Sequence, residues 1–351
     1  MSDFVIFVID ATVKSAILIV VLLTGFAYTT WLERRFIARL QSRLGPNRAG
    51  PAGLLQPVAD GLKLFFKEDI IPAAAFKVTF TIAPAITAIP ALIILAVVPV
   101  GERINLFGHV TTLGLTDINV GVLYILAVTS ISVYGIVLAG WSSGNKYAML
   151  GGLRSTAQMI SYELAMGLSV LAVLILAGSM SVSDVIDAQR DVWFIFVQPI
   201  AAIIFYITAL AETNRSPFDL PEAEQELTAG YHTEYSGMKF AAFFMAEYIK
   251  MIAVSAIFAA LFLGGYRLTL PFLPAPYADV HNLLGGWMGP LILLAKVVAS
   301  LLFMIWLRAT LPRFRYDQLM GLGWKILLPV SLANAALTAV LVVLGIFPLL
   351  A

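Results

Sequence analysis

Cysteine is absent from this 351-residue sequence, histidine occurs three times, and charge is scarce. Without cysteine the chain can hold no disulfide, no thiolate-bound iron–sulfur cluster and no thiol nucleophile. His109, His232 and His281 lie far apart and show no metal-ligand spacing, so no metal site is expected. Charged residues make up 12% of the chain, about half the ~25% of an ordinary soluble domain. A net charge of +1 offers nucleic acid no basic surface. What fills the space instead is apolar: 60% of residues are hydrophobic and the mean hydropathy is +0.91. Such a chain belongs in a bilayer.

A helix needs about 20 mostly apolar residues to cross the hydrocarbon core. The sequence predicts eight such spans, roughly 12–32, 77–100, 119–140, 155–178, 193–212, 239–263, 286–308 and 323–350. The first follows acidic Asp3 and Asp10 and ends in Glu33-Arg34-Arg35, which reads as a span rather than a cleavable signal. Sixteen Lys and Arg fall on the odd-numbered connections and three (Arg103, Arg190, Arg267) on the others. By the positive-inside rule the odd connections are cytoplasmic, or on the matrix side of a mitochondrion, and both termini are periplasmic or in the intermembrane space. The expected fold is therefore an all-α polytopic membrane protein, a single integral membrane domain over 1–351. It carries a cytoplasmic loop at 33–76 and an acidic cytoplasmic loop at 212–238.

In the first loop, Leu54, Leu55, Val58, Leu62, Phe65 and Phe66 recur at helical spacing, with Gln56, Asp60, Lys63 and Lys67 opposite. That pattern predicts an amphipathic helix in the membrane interface, or one whose polar face lines a cavity or a partner. The loop at 212–238 places Glu212, Asp219, Glu222, Glu224, Glu226 and Glu234 within 23 residues beside a single arginine, Arg215. Its carboxylates alternate with Phe218, Leu220, Leu227 and Tyr231, so it is expected to be ordered against a partner subunit. The alternative is a solvated acidic face.

Three carboxylates fall inside predicted spans: Glu163, Glu212 and Glu247, all in the cytoplasmic half. An ionised group there costs roughly 2.5–3.5 kcal/mol on insertion scales, and such residues mark ion or substrate pathways. Lys250, one turn from Glu247, reads either as its neutralising partner or as part of the same track. Lys296, alone in the seventh span, has the same two readings. The segment RATLPRFRYDQLMGLGWK sets Arg308, Arg313, Arg315 and Asp317 among aromatics, as positive-inside charges or as a partner-facing or head-group-facing site.

Three segments, GPNRAGPAGLLQPVADGLKLFFKE, AETNRSPFDLPEAEQELTAGYHTEYSGMKFAAFFMAEY and LPRFRYDQLMGLGWK, resemble signature segments of one membrane subunit of respiratory complex I. The family spans the bacterial NADH–quinone oxidoreductase and mitochondrial NADH dehydrogenase, where its member is subunit 1. The resemblance covers essentially the whole chain. It implies a membrane-arm subunit that forms the membrane side of the ubiquinone chamber and couples quinone reduction to proton translocation. By resemblance Arg34, Arg35, Asp60, Phe218, Glu222, Glu224, Arg308, Arg313 and Arg315 belong to the chamber. Glu163, Glu212, Glu226, Glu234, Glu247, Arg154 and Lys250 belong to a proton or charge relay. Ubiquinone would be bound jointly with peripheral subunits, this chain holding no cofactor or redox centre of its own. Expected partners are the peripheral quinone-site and iron–sulfur subunits, small membrane subunits, antiporter-like subunits and membrane lipids, in a bacterial or mitochondrial inner membrane. Rival readings are the membrane subunit of an ion-translocating hydrogenase, a stand-alone proton-coupled transporter and a pure anchor. An anchor gains nothing from buried carboxylates.

Overall fold

The computed structural model describes residues 3–106, 109–219, 229–269 and 288–345. In chain order the helices are α1 (Asp3–Leu40), α2 (Gln56–Phe65), α3 (Lys77–Ile93), α4 (Gly121–Ser142), α5 (Lys146–Ala177) and α6 (Val182–Asp187). They continue as α7 (Phe194–Val197), α8 (Pro199–Glu212), α9 (Gly237–Phe262), α10 (Gly289–Thr310), α11 (Tyr316–Gly321) and α12 (Leu328–Val343). One antiparallel hairpin pairs β1 (Arg103–Leu106) with β2 (His109–Thr112); the all-α expectation did not include it.

Among the described residues, seven helical segments are long and apolar enough to cross a membrane. The fifth predicted span is divided. Pro199 cannot donate an amide hydrogen, so α7 stops and α8 restarts at Gln198, leaving a 14-residue helix of about 21 Å. The break is pinned from outside: Gln198 donates to Thr338 Oγ1 at 2.8 Å and accepts from Asn334 at 3.0 Å, both on α12. At the other extreme α1 runs 38 residues, about 57 Å, and carries Glu33, Arg34 and Arg35 inside it. No glycine or proline falls between Glu33 and Gly45, so helix persists well past the apolar run. The last span is one continuous rod, α11 and α12 joined through a π-helical turn at Leu322–Leu327 just ahead of Pro329.

Packing is centred on α9. Every residue from Ala246 to Phe262 except Ile252 is buried, which follows from a sequence apolar on all sides. It lies against α1, α2, α3 and α10, while α4 bridges α3 to α5, and α5 supports α8 and α12. Small residues allow the close approaches. A Cβ at Gly135 on α4 would stand 2.1 Å from Thr87 Oγ1 on α3, and one at Gly151 on α5 would stand 2.7 Å from Gly230.

The apolar stripe of α2 (Leu55, Val58, Leu62, Phe65) points away from the protein and is exposed. The described parts of the acidic segment also pack against the chain itself. Phe218 packs against Tyr162 and Phe314, each with ring centroids at 5.5 Å, and Tyr235 stacks on Phe80 at 4.0 Å. Burial pushes the Tyr235 phenol up to about 12, so it stays neutral.

Candidate functional site

Four elements converge on one buried carboxylate, Glu33. It lies near the C-terminal end of α1 and is 4% exposed. Tyr248 of α9 donates its hydroxyl hydrogen to Glu33 Oε2 at 2.7 Å, and Arg215 Nη1 approaches Oε1 at 3.3 Å. Arg308, in the last turn of α10, pairs with the same oxygen. Arg215 also reaches the other way: its Nε lies 2.5 Å from Glu247 Oε1, and its guanidinium covers the Tyr248 ring at 4.3 Å. Buried Arg215 and half-buried Arg308 therefore balance two buried glutamates. Such a set holds together only while complete, since an orphaned buried charge is what costs energy.

The placement of Arg215 is built by the turn after α8. Asn214 adopts φ +51, a conformation asparagine tolerates, and this turns the chain back beneath α5. Gln158 of α5, fully buried, donates to the carbonyls of Ala211 and Phe218, both at 2.8 Å, and so clamps both ends of the turn. The same turn docks on the connection after α10. The Phe314 amide donates to Pro217 O at 3.1 Å, and Arg313 pairs with Asp219 at 2.9 Å.

Deeper along α9, Lys250 is buried within the fields of Glu212, Glu163 and Glu247. Glu247 has its arginine, so Lys250 answers chiefly to Glu212 on α8. Glu212 is buried, and one of its carboxyl oxygens has no hydrogen-bond partner among the described residues. Glu163 accepts from the Ser130 hydroxyl of α4 and is half-buried. Glu247, Lys250, Glu212 and Glu163, on α5, α8 and α9, thus lie close enough to act on one another through their charges. The expectation that Lys296 neutralises a glutamate fails. Its ammonium donates to the carbonyls of Leu263 (2.6 Å), Gly265 (2.8 Å) and Arg267, the chain just beyond α9.

Of the other predicted residues, Arg308 joins this cluster through Glu33. Arg34 pairs with Asp60 at 2.7 Å, and Gln56 donates to the same carboxylate at 3.0 Å. Arg35 donates to Ala52 O at 2.8 Å. These three residues fasten α2 and the turn before it to α1. Arg315 is exposed at the start of α11. Glu234 accepts from Asn145 at 2.7 Å, at the start of α5, and Arg154 is half-buried one turn before Gln158. Glu222, Glu224 and Glu226 lie outside the described residues. Beside the cluster an apolar groove of ≈ 910 Å³ runs between α8 and α10, with Phe218 and Phe314 among its lining residues.

Sequence reasoning passed over Glu33, Arg215 and Tyr248 as site residues. Glu33 read as a boundary charge, yet it is the only acidic residue between Asp10 and Asp60. That isolation among arginines was a usable signal. Arg215, the one arginine of an acidic segment, was another. Gln158 and Ser130 carried none, being ordinary polar residues within helices.

A family model described as NADH dehydrogenase matches residues 13–339. An NADH-quinone oxidoreductase subunit of the type designated H, from Thermomicrobium roseum, is 52% identical over 340 residues, covering 94% of this chain and 95% of that one. Its namesake from Protochlamydia amoebophila is 51% identical over 316 residues, 90% of this chain and 92% of its own. A further namesake, the first of its type in Geobacter sulfurreducens, is 50% identical over 349 residues, 96% of each chain. Membrane-length helices around a buried charge cluster, no cysteine for a redox centre, and likeness from end to end agree: this chain belongs to the NADH dehydrogenase family that includes these bacterial NADH-quinone oxidoreductase subunits.

Proposed function

We propose that the chain is the membrane subunit of a proton-translocating NADH:quinone oxidoreductase that meets the quinone and passes the effect of its reduction into the membrane arm. The observation that carries this reading is Arg215. One guanidinium touches Glu33, tied to the arginine-bearing ends of α1 and α10, and also Glu247, the first member of the intramembrane set. Quinone reduction adds negative charge and takes up protons near Arg308 and Arg313. In a low-dielectric site that change alters the balance between Glu33 and Glu247 for Arg215. Glu247, Lys250, Glu212 and Glu163 then carry the change laterally, by proton transfer or by field.

Ubiquinone enters as substrate, its headgroup held jointly with peripheral subunits that supply the iron–sulfur centres. Arg34, Arg35, Asp60 and Phe218 line or support its passage. The exposed stripe of α2 supports an interfacial position, where the helix sits in the headgroup boundary. The distribution of Lys and Arg supports eight crossings in a bacterial inner membrane, with α7–α8 as the fifth and both termini outside. By resemblance Glu222 and Glu224 serve the chamber, and Glu226, Glu234 and Arg154 serve the relay. Small membrane subunits and antiporter-like subunits receive the lateral output.

The test is NADH oxidation by a short-chain quinone in membranes lacking this chain, beside oxidation by a hydrophilic acceptor. Loss of the quinone rate, with part of the acceptor rate surviving and both restored by the wild-type gene, is expected. An unchanged quinone rate, in membranes without a second NADH dehydrogenase, refutes the reading.

A further inference from the structure

Outward from Lys250 on the same face of α9 come Val254, Ile257 and Leu261, all buried. Val122 and Ile125 of α4 and Phe205 of α8 close around them. The space these residues share with Glu212 amounts to ≈ 20 Å³. A water molecule needs at least about 10–15 Å³ by this measure, so there is room for one and not for a chain. The polar groups at this space are Glu212 and Thr129, and the Thr129 hydroxyl already donates to Leu126 O at 2.8 Å. From Lys250 to Leu261 the helix rises about 16 Å, and apart from Glu212 and Thr129 the side chains lining this space are apolar. Just past Val122 polar chemistry resumes: its amide donates to Met180 O at 3.1 Å, and Ser181 donates to Asp117 at 3.1 Å. Sideways the situation differs, since Glu163 is half-buried between exposed Ile160 and Leu164.

We propose that this apolar layer is an insulating plug that ends the carboxylate track at Glu212 on its outer side, so that a proton arriving there leaves through Glu163. The proposal rests on reading Glu212, Lys250 and Glu163 as a relay. Beyond Glu212 itself the layer offers a charge only the Thr129 hydroxyl, whose hydrogen is already given to Leu126 O, so desolvation there opposes entry. Such a barrier is required where the membrane potential pulls protons back with about 2.3 kcal/mol per 100 mV. The residues that do this are Val122, Val254, Ile257 and Leu261, none of which belongs to the charged cluster.

The experiment uses the whole enzyme in liposomes. Val254→Thr combined with Ile257→Ser is expected to collapse an imposed pH gradient several-fold faster than wild type without NADH, while the NADH:quinone rate is kept. Ile203→Ser, on the exposed face of α8, is the control and keeps the wild-type gradient lifetime. Should the double variant fail to assemble, the near-isosteric pair Val254→Thr and Val122→Thr is judged by the same criterion. An assembled variant with a wild-type lifetime, or an equal leak in the control, overturns the plug. Adding Glu212→Gln separates the two readings. If it stops the leak, protons reach the opened plug through the relay. If the leak persists, the plug stands and Glu212 is not its proton source.

Discussion

Glu33 compensates two guanidinium groups and holds the Tyr248 hydroxyl, so its neutral replacement leaves Arg308 without its carboxylate and Arg215 with Glu247 alone. Breaking a buried pair on one side costs about 3–5 kcal/mol. Glu33→Gln is therefore expected to lower the temperature at which the chain separates from the assembled enzyme, and Arg308→Gln in the same chain to restore part of it. Native gels of heated, solubilised enzyme read both, and a double variant as labile as the single refutes the coupling. Gln158→Met removes two hydrogen bonds and takes from the Phe218 carbonyl its Gln158 donor, while Ala211 O keeps the Asn214 amide, at about 1–3 kcal/mol. Faster proteolysis of the segment around 213–236 is the expected sign, with the quinone rate falling more than the artificial-acceptor rate. At this scale the sequence was legible where a charge interrupts an apolar run, as at Glu212, Glu247 and Lys250. It was not legible at Glu33, because a carboxylate at the end of a span looks like any boundary charge until α9 and α10 close over it.

Among the elements, α2 was legible from periodicity alone, because one apolar stripe and one polar face allow a single orientation. Its tether is weak by nature. Arg34 and Asp60 are half-exposed, and such pairs contribute at most about 1 kcal/mol. Asp60→Asn is expected to leave assembly intact, whereas Leu62→Glu, on the stripe, cuts the rate with a long-tailed quinone more than with a short-chain one. Equal loss with both quinones would deny α2 a role in tail passage. The break at Gln198 was not legible. Pro199 announced a restart, but tolerance of a proline in a span is decided by neighbours, and here Asn334 and Thr338 of α12 hold the Gln198 side chain at the break. The extension of α1 to Leu40 was likewise invisible to an apolar-run count, which stops at the first charges although helix propensity continues.

For the molecule as a whole, the layout of apolar segments was readable and the convergence of α1, α8, α9 and α10 on one charged cluster was not, since it depends on contacts distant in sequence. The function of that convergence is tested by Glu163→Gln combined with Glu247→Gln. Quinone reduction is expected to persist in part, while acidification of inverted vesicles on NADH addition is lost. Full acidification would mean that the set is structural.

Lys296 carries a consequence for how the protein is made. All three hydrogens of its ammonium go to carbonyls at the end of α9, so α10 finds its partner for this charge only if α9 is already in the bilayer. Alone, α10 would enter with a lysine costing roughly 2.5–3.5 kcal/mol. Biogenesis thereby acquires an order: α9 is laid down first and acts as the chaperone of α10.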